Sequence, residues 1–533
     1  MREPELQNIK TGLTDVFAVE VIAESDDRYM TILSLLPILC LFILLIGLKM
    51  SVAKAGAISF GLALIIALVF FGLTGFGLIV AVGKALSLAL FVLLIVWGAL
   101  LLYHLVDGFK AIDVINKNFV ILVEDKFVEF VILAWLFTGV FQGMAGFGVP
   151  VVIVAPILIA LGFDKVKSVA AALLGHTWAV TFGSMGAAFF IIQMLTGIPY
   201  EELGLPMWIF NTAIHFLTGL GVCWLYDGFK GIKKGISYIL PVSVVMAAVQ
   251  LLIISLELYS LASLLTALVG LTAMLLLYKL RTKSKGKNEG MYASELNLLQ
   301  SVLPYAVILG LSVVFQFLPD ILRNISLSFT FPGTETTIGY IVTPETGYAR
   351  MRLFGHPAVL LLAASGVAIG IYKRAGVWDK AVFKDALNKT VKKGIPATLA
   401  LLFLGNMSLI MMDSGMTHLL SYGVADLTGD FYPLVAPFFG VLGSFLTGNN
   451  TNSNILFGSF QYTIAARLDV SGAMMSAVQS MSGGIGVAIA PTLVLMGAIA
   501  SKLDGQESLI YRKIIGIVLI IALVMGVVNF ILI

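Results

Sequence analysis

The chain has 533 residues, 59% of them hydrophobic and only 12% charged, with a net charge of +3. A water-soluble domain carries about 25% charged residues, so this composition excludes a soluble enzyme, and the charges are sorted by loop instead of pooled into a face for nucleic acid. Apolar runs of roughly twenty residues recur from end to end, the pattern of an all-α polytopic membrane protein.

Residues 1–30 hold three Lys/Arg against seven Asp/Glu and lack the basic start and short apolar core of a signal peptide. This segment is expected outside the cell, with the first apolar run retained. Full crossings, twelve in all, are expected near 31–48, 55–73, 80–104, 168–193, 207–226, 237–255, 259–279, 298–318, 353–372, 395–412, 471–500 and 514–531. Two further regions, 127–162 and 432–466, each hold two apolar arms that read as too short to cross, set around a polar or glycine-rich break. Both are expected to be re-entrant hairpins. A stretch at 375–393, with Val377, Trp378, Val382, Phe383 and Leu387 against Lys380, Lys384 and Lys389, reads as an interfacial amphipathic helix. Cys40 and Cys223 fall in apolar runs and imply neither disulfide nor metal site.

Basic residues collect in alternate loops: Lys49; Lys110 and Lys117; Lys230, Lys233 and Lys234; Arg281 to Lys287; Lys373 to Lys393. The positive-inside rule makes these cytoplasmic. Loops with Glu201 and Glu202, or Asp426 and Asp430, are then outside, as are both termini, in a multi-pass protein of the plasma membrane.

An offset of 305 positions lays Gly143 over Gly448, Asp164 over Asp469, Gly175 over Ser480 and Thr177 over Ser482. Five crossings and a hairpin (31–226) are joined by a helix pair and basic loop (227–297) to five more crossings and a hairpin (298–533). An odd number followed by an even number inverts the second set, so the repeats are inverted and the hairpin tips meet near the midplane. Paired, interrupted apolar segments of this kind mark a transporter's binding site.

The first tip offers Gln142, Gly143, Gly146 and Gly148; the second offers Thr447, Gly448, Asn449, Asn450, Thr451, Asn452, Ser453 and Asn454. Later breaks add Thr177, Ser482 and Gly483. With second arms starting at Val149 and Ile455, two helix N-termini would face a small anion without any buried Lys or Arg. Glycines alone could be helix-packing positions. His176, His215 and Asp413 are candidates for ion coupling; Asp413 with His418, and Lys84, are expected near span ends, in reach of interfacial water. Arg350, Arg352 and His356 stand where an outer loop meets a helix, as anchors or as substrate capture. No cofactor, metal or enzyme motif is present: HExxH, P-loop and GxSxG are all missing.

The runs Gly143-Met-Ala-Gly-Phe-Gly-Val-Pro150, Gly183-Ser-Met-Gly186, Asp227-Gly-Phe-Lys-Gly231 and Phe445-Leu-Thr-Gly-Asn-Asn-Thr-Asn-Ser-Asn-Ile-Leu-Phe-Gly-Ser-Phe460 resemble those of the lactate permease family over nearly the whole chain. The resemblance implies proton-coupled uptake of L-lactate or glycolate on an inverted-repeat, elevator-type scaffold, and leaves room for a homodimer. The family pattern has an acid at the place of Gln142, an Asp at that of Asn450, and a Lys after Gly483-Gly484. Their loss shifts proton coupling to His176, with Na⁺ held by neutral tip oxygens, or an uncoupled uniporter or channel, as alternatives.

Overall fold

The computed structural model describes residues 27–533 apart from 121–122, 145, 147, 283–294, 317–321 and 323–324. Most of the N-terminal segment 1–30, most of the basic loop after Arg281, and tip residues Ala145 and Phe147 lie outside the described residues.

In lipid, each backbone N–H and C=O must be satisfied within its own segment, which leaves helices as the spanning element. The helices run α1 Asp27–Phe42 (continued to Gly47), α2 Val52–Val69, α3 Gly75–Gly108, α4 Ala111–Val120, α5 Lys126–Met144, α6 Val149–Ala160, α7 Lys165–Gly175, α8 Gly183–Thr196, α9 Tyr200–Ser255 and α10 Ala262–Thr282. After them come α11 Leu298–Gln316, α12 Pro357–Arg374, α13 Lys380–Asp413, α14 Met416–Thr428, α15 Tyr432–Thr447, α16 Asn450–Arg467, α17 Gly472–Gly486, α18 Pro491–Ala500 and α19 Glu507–Leu532. Among the described residues, ten helical stretches are long and apolar enough to cross a membrane, or twelve if two bent pairs each count as one span. Those pairs are the expected broken crossings, bent by 53° between α7 and α8 and by 41° between α17 and α18. Several starts are set by side-chain caps: Thr74 accepts from Gly77 N, Asp164 from Lys167 N and Ser471 from Met474 N.

α3 and α13 are each 34 residues long and pack on one another, flanked by α2 and α12. Three polar ties fix them antiparallel: Lys84 with Asp413, Trp97 Nε1 donating to Thr398 Oγ1 at 3.0 Å, and His104 Nδ1 with Thr390 Oγ1 at 3.0 Å. The hairpin α5–α6 packs on α7, α10 and α18; the hairpin α15–α16 packs on α17 and α8.

Four features differ from the sequence expectation. First, the chain is not wholly α. β1 Ser326–Phe331 pairs antiparallel with β4 Glu345–Arg352, and β2 Thr334–Glu335 with β3 Ile341–Val342. The alternation Ser-Leu-Ser-Phe-Thr-Phe carries the period-2 signal of a strand. Second, α5 has 19 residues, about 28 Å at 1.5 Å per residue, so this arm is not short. Third, residues 380–393 are the first turns of α13, continuous with the following crossing, and α14 is an additional helix between that crossing and the second hairpin. Fourth, α16 starts at Asn450, not Ile455, so the asparagine run is helical and the break shrinks to Gly448-Asn449. Gly448 there has φ 85°, a left-handed turn that favours glycine. The stretch α9 is two antiparallel helices, as expected for crossings 207–226 and 237–255: the chain turns back at Asp227-Gly228, where Gly228 takes φ 57°, ψ −138°, so that Gly219 faces Ile239 and Trp208 Nε1 donates to Ala247 O at 2.7 Å.

Candidate functional site: a buried pocket between two hairpin tips

The two tips and two helix breaks close on one cavity of about 30 Å³. Hairpin α5–α6 brings Gln142 and Gly148 to it, and hairpin α15–α16 brings Gly448, Asn449, Asn450 and Thr451. The α7–α8 break contributes His176, Val180, Gly183 and Ser184, and the residues between α17 and α18 contribute Val487. A cavity of this size holds about two waters.

The base of each hairpin is pinned by charge. Lys234 Nζ reaches Asp125 at 2.8 Å below α5, and Arg467 reaches Asp426 at 3.0 Å below α16. Burial disfavours the Asp125 carboxylate, but Lys234 and the N–H groups of Phe127 and Val128 outweigh it and hold the carboxyl below its ordinary range.

Asn449 is the N-cap of α16, its Oδ1 accepting from Asn452 N at 2.8 Å. The N–H groups of Asn450 and Thr451 precede any intrahelical acceptor, so they add to the positive end of the helix beside the cavity. α6 offers less. Val149 N–H is spent on Gly146 O, and Pro150 has no N–H. The expected symmetric pair of anion-facing termini is therefore unequal, with α16 the richer in donors.

Asn450 and Asn454 lie four residues apart on one helix face and both reach α17. Asn450 Nδ2 donates to Ser480 O at 2.8 Å and to Thr181 Oγ1 at 3.1 Å; Asn454 Nδ2 donates to Ser480 Oγ and to Ala188 O, both at 2.9 Å. Asn450 Oδ1 is buried without a hydrogen-bond partner and lies over Gly483, where a Cβ would overlap it. Gly483→Ala is thus expected to displace the Asn450 amide. Loss of neutral hydrogen bonds worth about 0.5–1.5 kcal/mol each should lower substrate uptake by proteoliposomes about tenfold, while gel filtration shows the variant still folded.

His176 is 1% exposed, with Nδ1 2.9 Å from Ala172 O and Nε2 buried without a partner. It is the one titratable side chain among the residues lining the cavity.

Other candidates fall outside the lining. Gly143 is a packing glycine, its backbone against Leu264. Gly146 backs onto Ser184. The hydroxyls of Thr177, Thr447, Ser453 and Ser482 are taken by the carbonyls of Leu174, Gly443, Gly440 and Val478, so they hold the breaks in shape. Asn452 and Gly483 also stand behind the lining. His215 is fully buried beside Trp178, ring centroids 4.9 Å apart, away from the tips.

Asp413 pairs with Lys84 at 3.3 Å, and Lys84 also meets Glu345 at 2.7 Å. Lys84 is 0% and Asp413 1% exposed, so neither reaches interfacial water as expected. His418 is half-buried, its Nδ1 3.4 Å from Tyr340 Oη. A residue missed in the sequence is Ser184, which begins a left-handed run with Met185 and Gly186 (φ 49°, 58° and 82°). Non-glycine residues in that region cost about 1 kcal/mol or more and cluster at functional sites.

The chain matches the L-lactate permease family over residues 30–533. It is 27% identical to the glycolate permease of Escherichia coli K12, covering 93% of this chain and 94% of that one. It is 26% identical to the L-lactate permease of the same strain (94% and 95% covered) and 24% identical to that of Bacillus subtilis 168 (93% and 94%). With the family match spanning nearly the whole sequence, on a polytopic helical membrane fold, the chain belongs to the L-lactate permease family.

Proposed function

We propose that the chain is a secondary active transporter of a small monocarboxylate such as L-lactate or glycolate, held between the hairpin tips and carried with a proton. One observation bears most of this reading: both tips and both helix breaks converge on one buried pocket that has amides, a helix N-terminus and a histidine, but no Lys or Arg. An anion bound by preorganised N–H dipoles can be released without breaking an ion pair. The names carried by the relatives, glycolate and L-lactate permease, agree with that chemistry.

The site residues proposed are Gln142, Gly143, Gly146 and Gly148 of the first tip and 447–454 of the second, with Thr177, Ser482 and Gly483 behind them. The halves 31–226 and 298–533 are read as inverted repeats, the two hairpins being re-entrant from opposite faces. The order supports this: a 34-residue helix, a hairpin, a bent helix pair and a long helix occur in each half. The antiparallel pairing of α3 with α13 is what a two-fold axis in the membrane plane produces. The group α1–α3 with α11–α13 would be the scaffold, and the hairpin group the moving body of an elevator. Basic loops then face the cytoplasm, with the strands and both termini outside.

His176 is the proposed proton carrier. His176→Ala should abolish lactate accumulation driven by an imposed pH gradient while lactate–lactate exchange persists; unchanged pH-driven accumulation would remove His176 from the mechanism. Na⁺ coupling is the second reading, favoured by the unpaired buried oxygens Asn450 Oδ1 and Asn454 Oδ1. Accumulation under a Na⁺ gradient at equal pH would select it. Accumulation under neither gradient would leave a uniporter.

A further inference from the structure

A second cavity, about 590 Å³, opens between the end of α8, the α9–α10 turn, α11 and β4. Its volume lies within the roughly 300–1,000 Å³ of small-molecule sites. Two cations stand on its wall, Arg350 and Arg352, and both are exposed. The wall also carries two acids. Glu345 shares Lys84 with Asp413, at 2.7 and 3.3 Å, and Glu257 stands without such a cation.

A bulge in β4 aims this wall. Leu327 pairs with Met351 and Phe329 with Tyr348, so three steps on β4 match two on β1, and Ala349 takes φ 49°. Met351 is thereby buried, while Tyr348, Arg350 and Arg352 all line the cavity. Tyr348 and Ser312 are each 8% exposed, and their hydroxyls have no hydrogen-bond partner. Unsatisfied buried hydroxyls cost free energy; both residues line the cavity, but their oxygens are covered from it.

The cavity also adjoins the tip pocket. Phe190 lines it, with its ring 5.4 Å from that of Phe91. A Cβ on Gly186 would lie 3.1 Å from Phe190 Cε2. The next two residues, Ala187 and Ala188, line the tip pocket. The aromatic pair therefore stands between the two spaces.

We propose that this cavity is a capture site for the monocarboxylate anion, where Arg350 and Arg352 concentrate it before it passes Phe190. The identity of the anion rests on the transport reading above; the anion selectivity of the cavity does not.

The test uses full-length protein with Cys40→Ser and Cys223→Ser, carrying Thr346→Cys on the cavity wall, reconstituted in nanodiscs. Modification by anionic 2-sulfonatoethyl methanethiosulfonate is compared with that by cationic 2-trimethylammonioethyl methanethiosulfonate, each relative to its rate with a free thiol. The expected result is at least a tenfold preference for the anion, slowed by L-lactate and erased by Arg350→Gln with Arg352→Gln. In proteoliposomes the same arginine pair should raise the half-saturation concentration for lactate several-fold. No anionic preference, or one indifferent to the arginines, overturns the site. An arginine-dependent preference in a protein that transports no carboxylate keeps the anion site and sinks the transport reading instead.

Discussion

Asn450→Ala should lower L-lactate uptake by at least about tenfold with little change in thermal stability. The amide joins three elements at the pocket: its Nδ2 bonds Ser480 O on α17 and Thr181 Oγ1 in the first helix break, from the first turn of α16. Truncation leaves the Ser480 carbonyl with Thr181 Oγ1 as its donor, 2.9 Å away, so the fold keeps that tie. What is lost is the lock on the helix end whose N–H groups face the guest. Two neutral hydrogen bonds are worth about 1–3 kcal/mol together, and each 1.4 kcal/mol is about tenfold. Asn450→Asp makes the sharper case. An ionised carboxylate presents no donor to Ser480 O, whereas a protonated one does, so uptake by this variant should recover as the pH is lowered. Uptake equal to the parent in both variants, in protein of equal stability, would remove Asn450 from the site.

The second large effect concerns the Lys84–Asp413 pair. Lys84 lies on α3 and Asp413 ends α13, so the pair ties two halves of the chain inside the bundle, with Glu345 adding a tie to the strands. Removing one partner of a buried pair strands the other charge, at about 3–5 kcal/mol. Lys84→Met should therefore lower the thermal transition in detergent by several degrees. Lys84→Met with Asp413→Leu should regain most of the loss, because the only charge left without a partner is that of Glu345, which at 34% exposure is reached by water. If the single variant melts with the parent, the pair is not a structural tie. Loss of gradient-driven uptake in the double variant, with stability regained, would instead return Asp413 to ion coupling.

Much of the helical framework was legible because lipid imposes long apolar runs and few alternatives. The first bend showed itself as small residues inside an otherwise apolar helix, Gly175 to Gly186; the second was expected at Gln479 to Gly486, but that run is helical and the bend follows it at Ala490-Pro491. The site was legible in part, through Gln142, Gly148, His176 and the Gly448–Thr451 segment, which do meet at one cavity. The asparagine run misled. Six small polar residues read as irregular backbone, yet the run is helical from Asn450, and Asn450, Ser453 and Asn454 spend their side chains inside the protein, on Ser480, Gly440 and Ala188. Gly143 packs closely on Leu264, a contact that sequence spacing cannot distinguish from a ligand-facing role. The Lys84–Asp413 pair, 329 positions apart, has no local signature at all. Strand β1 did have one, in its alternating residues, but a membrane composition directs attention to helices.

The central claim is that a carboxylate sits between Gly148 and the first turn of α16. A cryo-EM map of the protein in lipid nanodiscs with L-lactate tests it most directly. Density for the acid should lie against the N–H groups of Asn450 and Thr451, with its far end toward Gln142 or His176. A map of transport-competent protein with lactate bound between helices that touch neither tip would contradict it.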